Sequence, residues 1–456
     1  MPAITAKPIT ATPITARPLT AYRLGESTEG ANPLVWHALA AANDGVITDQ
    51  LVGVGTPTWA HTSSLLLPDY QGVYRTIGAG EAPIVGARWV GGVPYATDEL
   101  GDPLTDWWFQ CQPAYTNSVT YSNDLTNATG GWTEQSATTG LNAVGLSGQA
   151  NTATTLTDAY AGQYSAVHKS VTTPADTNPI VIRAFILKDT DETRFPAVGI
   201  HPAGAWTDEA WNINTKTGAI QQTADSGDGF IGEVNDAGLW WEVLLQVTNK
   251  IGQTSIRPKV WAAIGTSIST TSAAATGSCV FGNVELHLNK TIAQVRGSAP
   301  IITAASTVST TAVYGTFDIA NHSDTKGAYM ASVKKVLSST EQAANAAGGQ
   351  IIAGNRLYYA DSSAAHSAND GTTTVSVTDT WAADATVKVG VAYQDGGNMV
   401  VVQDGTAGTP DSYDGDWSAT FTIGASANKA PILIKDVRRY NLSYTAGLAK
   451  LEEIAA

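Results

Sequence analysis

Three aspartates close together form the group of side chains in this sequence best suited to bind a cation. Asp411, Asp414 and Asp416 lie in the segment DSYDGD, which also contains a glycine. Carboxylate oxygens on a short, glycine-containing loop suit Ca²⁺, which takes about six to eight oxygen ligands. The segment has neither EF-hand spacing nor a closing glutamate. We expect no cofactor from the sequence; a calcium loop is one interpretation of this segment, and a solvated turn between strands is the other.

A second segment combines aromatic and hydrogen-bonding side chains. Trp206, Asp208, Trp211 and Asn212 lie in WTDEAWN, which has the composition of a loop. Exposed indole rings can stack on the apolar face of a sugar, while a carboxylate and an amide hold its hydroxyl groups. We predict a carbohydrate-binding loop from these four residues. Packing of the tryptophans in the core is the alternative.

Recognisable catalytic motifs are absent from the sequence. It contains no nucleophile elbow, phosphate-binding loop, zinc-protease motif or dinucleotide-type glycine cluster. Tailspike-type glycosidases use two carboxylates. With 40 acidic residues, however, closeness of two acids in the sequence identifies no such pair. The sequence predicts that the protein is not an enzyme, and a glycan depolymerase is one alternative.

The two cysteines, Cys111 and Cys279, are distant in sequence, and neither belongs to a C-x-x-C pair. This spacing excludes a disulfide framework and a thiolate zinc site. Both are expected to be buried free thiols, because unpaired cysteine is among the most buried residue types.

The N-terminus repeats with a period of five, as ITAKP, ITATP, ITARP and LTAYR. Regularly spaced proline excludes a helix and a central strand, so the segment must be extended. An extended segment has no core of its own and becomes ordered only against a partner. Residues 1–24 are therefore predicted to be an anchoring arm, with a flexible leader as the alternative. The first residue of each repeat is expected to contact the partner: Ile4, Ile9, Ile14 and Leu19.

The charge balance limits the partners. The chain of 456 residues has 40 acidic and 25 basic side chains, for a formal net charge of -15. Such a protein is repelled by phosphate backbones and anionic membranes, which argues against nucleic-acid binding. No apolar run reaches the length of about 18 residues needed to span a bilayer, and no secretory leader is recognisable. We expect synthesis in a cytoplasm and no membrane insertion.

Strand patterns dominate the rest of the chain. Residues 180–187 and 239–247 are dense apolar runs, and residues 386–393 alternate large and small or polar side chains with period two. The turn DGGN then leads to residues 399–403, which predicts a hairpin. Short helices are predicted at residues 338–347 and 445–454. Only 14% of residues are charged, and glycine is abundant at 44 residues, which is typical of strand-rich proteins.

These patterns predict an all-β fold with two β-sandwich (jelly-roll) domains in series. The two sandwiches follow the extended arm and a small mixed attachment region. The predicted boundaries are 1–24 for the arm, 25–112 for the attachment region, 113–300 for the first jelly roll and 301–456 for the second.

Several segments, in order along residues 55–456, resemble a group of bacteriophage virion proteins with carbohydrate-binding-module-like and concanavalin-like (laminin-G-like) jelly rolls. The segments are PTWAHTSS at 57–64, VTYSNDLTN at 119–127, VFGNVEL at 280–286 and IKDVRRY at 434–440. The group has TRAS where this chain has Trp59-Ala-His61, and it lacks the five-residue repeat of the arm. The resemblance implies a location in the virion and a jelly-roll fold.

The resulting hypothesis is a structural protein of a phage particle: a tail fibre, head fibre or capsid decoration. Its arm would bind other virion proteins, and its jelly rolls would bind glycans of the host surface. A homo-oligomer is expected, and a trimer only by analogy with phage fibres. A purely architectural capsid or tail component is the other alternative besides the depolymerase.

Overall fold

A computed structural model describes residues 35–36 and residues 58–455 with gaps. The gaps are residues 91–92, 96–97, 101–103, 105, 203–207, 225–230, 250–251, 319–324, 346, 353, 355, 360–363, 379, 416, 418–419, 425–427 and 441. The predicted arm, with Ile4, Ile9, Ile14 and Leu19, lies outside the described residues.

The described elements fall into three groups along the chain. The strands before the first sandwich are β1 (Val35–Trp36), β2 (Thr58–Trp59), β3 (Leu65–Pro68), β4 (Tyr74–Ile77), β5 (Ile84–Val85), β6 (Arg88–Val90), β7 (Val93–Tyr95), β8 (Trp108–Cys111) and β9 (Thr116–Asn117). The first sandwich contains β10 (Trp132–Gln135), β11 (Thr138–Ala143), β12 (Ala153–Asp158), β13 (Ala166–Lys169), β14 (Val171–Thr172), β15 (Pro179–Leu187), β16 (Phe195–Pro202), β17 (Glu209–Ile213), β18 (Ile220–Ala224), β19 (Ile231–Ala237), β20 (Trp240–Thr248), β21 (Ser255–Gly265) and β22 (Gly277–Leu288). After helix α1 (Ile292–Val295) come β23 (Val308–Ser309), β24 (Gly315–Asp318), β25 (Lys326–Lys335), α2 (Ser339–Ala344), β26 (Gly349–Ile352), β27 (Leu357–Tyr359), β28 (Ala365–Asn369), β29 (Thr374–Thr378), β30 (Thr386–Gln394), β31 (Gly397–Gln403), β32 (Thr406–Ala407), β33 (Asp411–Tyr413), β34 (Thr420–Ile423), β35 (Ile432–Tyr440) and α3 (Tyr444–Ala455).

The first sandwich consists of two antiparallel sheets. One has the strand order β11-β12-β22-β15-β20-β19, and the other has the order β10-β13-β21-β16-β17-β18. Apolar side chains from both sheets form one core, to which β15 contributes Ile180, Ile182 and Ile186. The two dense apolar runs predicted as strands are confirmed as β15 and β20, which pair with each other along their full length.

The second sandwich also has two antiparallel sheets, with the orders β32-β31-β30-β25-β35-β8-β5 and β2-β24-β34-β26-β27-β28-β29. The predicted hairpin is confirmed as β30 and β31, which pair from Val389↔Gln403 to Tyr393↔Met399. The alternation places Val389 and Val391 in the core and Lys388 on the other face. Both predicted helices are present as α2 and α3.

Helix α2 begins where its sequence dictates. The Ser338 hydroxyl accepts a hydrogen bond from the Glu341 backbone N–H, and the Glu341 carboxylate accepts one from the Ser338 backbone N–H at 2.9 Å. This reciprocal capping box satisfies two backbone donors that a helix N-terminus otherwise leaves free.

The first sandwich is inserted into the chain of the second. Strands β5 and β8, which precede it, pair in the same sheet as β35, and β2 pairs with β24. Gln112 lies opposite Val313, and β9 pairs with β23, so the entering and leaving segments run side by side. Residues 58–112, assigned from the sequence to a separate attachment region, thus contribute strands to the second sandwich.

The physical reason for this placement is a short aromatic run. Trp107, Trp108 and Phe109 are almost completely buried, and Cys111 belongs to the core of the second sandwich. Burying such a run against β35 removes a large apolar area from water. With strands over about half of the chain and helices over 7%, the predicted all-β sandwich fold is confirmed. Among the described helices, none is long and apolar enough to cross a membrane.

Candidate functional site

A groove lies at the junction of the two sandwiches. One part has a volume of about 520 Å³, and an adjoining part has a volume of about 420 Å³. The two parts share the lining residues Pro68, Val85, Asp106, Lys334 and Leu433. The β3–β4 hairpin, the β19–β20 turn, residues 296–300 and the ends of β25 and β35 form its walls. Ligand sites occur preferentially in such clefts between domains.

A buried ionic network forms one wall. The Arg183 side chain is 2% exposed, and its Nη2 lies 2.6 Å from Glu242 Oε1, while Nη1 lies 3.8 Å from Glu285 Oε2. The guanidinium also donates to the Ser298 carbonyl at 2.7 Å. Burial alone would lower the pKa of Arg183, but Glu242 and Glu285 outweigh it and raise the pKa. The network therefore ties β15 to the segment that leads into the second sandwich.

Arg296 makes a second connection between the sandwiches. Its Nε donates to Glu233 Oε1 on β19 at 2.7 Å, and its Nη1 donates to Glu341 Oε1 on α2 at 3.0 Å. Burial opposes the charge of Arg296, yet the two carboxylates raise its pKa. One guanidinium thus binds both sandwiches beside the groove.

The β3–β4 hairpin approaches the first sandwich so closely that only glycine fits at the contact. Gly72 and Gly238 have φ angles of +76° and +74°, and a Cβ atom on either would lie 2.7 Å from the Cα of the other. Both glycines line the groove. Because the backbones touch, this wall is fixed without any side chain.

Two carboxyl groups of the groove have pKa values shifted in opposite directions. Burial opposes ionisation of Asp106, but hydrogen bonds from Trp108 and Lys334 outweigh it and lower the pKa. Burial raises the pKa of Asp384 more than Lys334 and Arg296 lower it. Glycoside hydrolysis uses two carboxyl groups in one cleft, with the pKa of the acid raised relative to that of the other.

The predicted carbohydrate-binding loop is only partly brought together. Trp206 lies outside the described residues. Asp208 is about one-third exposed, and its two oxygens lie 2.7 Å from His201 Nδ1 and 2.8 Å from Lys259 Nζ. Asp208 therefore belongs to a charged cluster on the surface of the first sandwich.

Trp211 and Asn212 follow on β17, where successive side chains point to opposite faces. The Trp211 ring packs against the core and lies over Gly232, where a Cβ would be 2.9 Å from its Cδ2. Asn212 is fully buried; its Nδ2 donates to the Thr270 carbonyl at 2.9 Å, and its Oδ1 accepts from Thr223 at 3.0 Å. Neither residue lies on the surface with Asp208.

Sequence reasoning missed the neighbours of Asp208. His168 on β13 lies opposite Lys259 on β21, and His201 on β16 lies opposite Arg257 on β21. The available signal was the alternation in SIRPKVW, which places Arg257, Lys259 and Trp261 on one face of a strand. The partners on the other strands could be found only from the register of the sheet.

The predicted calcium segment begins on strand β33, and Asp370 from another segment contacts its backbone. Asp370 Oδ2 accepts from the Asp414 backbone N–H at 3.0 Å, and its Oδ1 accepts from Thr373 at 2.7 Å. Burial opposes ionisation of Asp370, but these backbone donors lower its pKa. Asp411 is exposed and accepts from the Ser412 backbone N–H, while Asp416 lies outside the described residues. No group of three potential metal ligands exists among the described residues. Because Asp416 is not one of them, the calcium loop stays a prediction.

No protein-family model and no curated protein sequence matches this chain. Several solved structures are similar to part of it. The binding domain of botulinum neurotoxin DC in complex with rat synaptotagmin II has 11% identity and a TM-score of 0.25, over 32% of this chain and 40% of that one. The enzymatically active domain of bacteriophage CBA120 tailspike protein 4 has 12% identity and a TM-score of 0.25, over 38% of this chain and 21% of that one. The chain thus spans well under half the length of these structures, and likeness at this level establishes neither a family nor a function for it.

Proposed function

We propose that the chain is a structural protein of a bacteriophage virion that binds a host-surface glycan in the groove between its two sandwiches. The resemblance of its sequence segments to phage virion proteins supports the location. The all-β fold agrees with the jelly-roll architecture that this resemblance implies. Under this proposal the N-terminal arm binds other virion proteins, and a chain lacking residues 2–22 would fold but be absent from purified particles.

The observation that carries the binding function is the groove itself. Its apolar lining includes Leu66 and Leu433, while Asp106, Lys334 and Asp384 bring charged groups to the same surface. Glycans need this combination, since their rings have apolar faces and their hydroxyl groups both donate and accept hydrogen bonds. Arg183, Arg296 and the Gly72–Gly238 contact hold the walls, so little conformational entropy is lost on binding.

Replacing Lys334 by Met is expected to weaken glycan binding by about tenfold, because charged hydrogen bonds contribute roughly 1.5–3 kcal/mol. Lys334 pairs with Asp106 at 3.1 Å in the groove, and its side chain is 22% exposed. The measurement is binding of the full chain to an array of bacterial surface oligosaccharides, followed by titration with the strongest ligand.

Lys450 offers a matched control for this substitution. Its side chain is also 22% exposed and pairs with Glu453 at 3.0 Å, but it lies on α3 and does not line the groove. Lys450→Met should leave the affinity unchanged. Equal losses in both variants, or no oligosaccharide retained by the wild-type chain, would contradict glycan binding in the groove.

Glycan hydrolysis is the second candidate, because Asp106 and Asp384 bring two carboxyl groups to the same groove. In that mechanism Asp384 protonates the leaving glycosidic oxygen, and Asp106 acts as the base or nucleophile. Incubating the retained oligosaccharide with the chain and measuring new reducing ends distinguishes the candidates. Release that is lost in Asp384→Asn, with binding retained, would indicate the enzyme; no release would indicate adhesion.

A further inference from the structure

The outer face of the first sandwich gathers basic side chains in a protein that is otherwise strongly acidic. Arg257 and Lys259 lie on β21, His201 lies on β16 and His168 lies on β13. We call these four residues, together with Asp208, the basic face. The chain as a whole has a formal net charge of -15, so this local excess of positive charge is an exception.

The register of the sheet sets two imidazoles against two cations. His168 lies directly opposite Lys259, and His201 lies directly opposite Arg257. A protonated imidazole at these positions would face a like charge, which destabilises a sheet. Protonation of His168 is therefore favoured only when an anion is bound nearby.

The positive charge of the basic face is only partly neutralised by carboxylates of the protein. Asp208 lies within 2.8 Å of Lys259 and 2.7 Å of His201. Arg257 donates to the Ser170 hydroxyl at 3.1 Å, and no carboxylate among the described residues pairs with it. His168 has no hydrogen-bond partner within the described part of the chain, although its Nδ1 is shielded from solvent. Burial, followed by the charges of Lys259, Arg257 and His201, lowers the pKa of His168.

Lys259 is held in place before any ligand arrives. Its side chain is 11% exposed, and its Nζ lies 4.9 Å from the centre of the Trp261 ring. The ring is buried and lies over Gly199, where a Cβ would be 2.9 Å from Cζ3 of Trp261. This cation–π contact holds the lysine charge in one position at the surface, which reduces the entropy lost when an anion binds.

We propose that the basic face binds the anionic group of an acidic polysaccharide, a carboxylate or a phosphate, through Lys259, Arg257 and His168. This site is separate from the groove, and its assignment to a polysaccharide rests on the proposed glycan-binding function. The bound anion supplies the negative charge that the face lacks and favours the protonated form of His168, which then donates a hydrogen bond to it.

The test compares three ligands on the full chain by isothermal titration calorimetry near physiological ionic strength, where charges beyond about 8 Å are screened. The ligands are an oligogalacturonate, a neutral oligogalactose of the same length and a glycerol-phosphate oligomer. Binding of either acidic ligand in preference to the neutral one is expected, and the preferred ligand identifies carboxylate or phosphate as the source. Equal binding of acidic and neutral ligands would overturn the proposal.

Lys259→Met should weaken binding of the acidic ligand by about tenfold, and Arg257→Gln should also weaken it. The control is Lys188→Met in the same sandwich, where Lys188 pairs with Asp236 and lies 4.2 Å from the centre of the Trp241 ring. This control should bind as the wild type does. An equal loss in Lys188→Met, or no loss in Arg257→Gln, would count against the basic face.

The pH dependence tests the role of His168. Its pKa in the free protein is lowered and rises when the anion binds, so the complex takes up a proton and binding tightens as the pH falls. Affinity should be higher at about pH 5.5 than at about pH 7.5, and His168→Gln should remove most of this difference. An unchanged pH profile in His168→Gln would overturn the proposed role.

The Lys334→Met variant distinguishes failure of this site from failure of the groove. If only the basic face binds, Lys334→Met keeps full affinity for the acidic ligand while Lys259→Met loses it. If only the groove binds, Lys334→Met loses affinity for the acidic ligand while Lys259→Met keeps it. The proposal for the basic face is then wrong.

Discussion

Arg183→Ala is expected to lower the free energy of unfolding by about 3–5 kcal/mol, the usual cost of removing one partner from a buried ion pair. Glu242 is 5% exposed and Glu285 is fully buried, so both carboxylates would lose their cation while largely shielded from water. The hydrogen bond to the Ser298 carbonyl, which connects the two sandwiches, would be lost as well. Denaturant unfolding of the full chain, followed by tryptophan fluorescence, measures the effect.

Lys188→Ala is the matched control, because Lys188 pairs with Asp236 on the surface of the same sandwich. An exposed pair of this kind contributes about 0–1 kcal/mol. Replacing Arg183, Glu242 and Glu285 together by apolar residues of similar size should cost less than Arg183→Ala alone, since no charge remains unpaired. If Arg183→Ala behaves like the surface control, the network does not stabilise the junction.

The sequence predicted the strands whose pattern is local. β15 and β20 are long apolar runs, and β30 alternates with period two, so each can be recognised without knowing its neighbours. The insertion of one sandwich into the other could not be predicted this way. It depends on pairing between residues as distant as Gln112 and Val313, and the short strand β8 gives no periodic signal.

The candidate sites were also hard to predict from local sequence patterns. Asp208 was predicted from its own segment, but its partners His201 and Lys259 lie on other strands, and Lys259 is 51 residues away in the sequence. Asn212 has the right chemistry for a sugar ligand, yet it is fully buried, with its amide donating to the Thr270 carbonyl. The groove was not predicted at all, because its walls come from parts of the chain that are distant in sequence.

The insertion predicts that the second sandwich folds without the first, provided that residues 58–112 are kept. Gln112 and Val313 exchange backbone hydrogen bonds of 3.2 Å and 2.8 Å, so a short glycine-serine turn can join them. A chain of residues 58–112 joined in this way to residues 313–456 should be soluble, with a β-type circular dichroism spectrum and a cooperative thermal transition. The joined chain keeps β8 in place, where Trp108 is buried and its ring centre lies 4.1 Å from Lys435 Nζ.

Residues 301–456 alone provide the comparison. This fragment lacks β5 and β8, so Ile432, Leu433 and Ile434 lose the backbone partners Cys111, Gln110 and Phe109. Their strand becomes an apolar edge, the kind of surface that pairs with other chains and aggregates. At about 150–250 Å² for each ring and about 25 cal/mol per Å², burial of the three aromatic side chains contributes about 11–19 kcal/mol. That contribution is comparable to the whole stability of a typical domain, about 5–15 kcal/mol. We therefore expect no cooperative transition from this fragment. A transition as sharp as that of the joined chain would show that residues 58–112 are an accessory to the second sandwich and not a part of its fold.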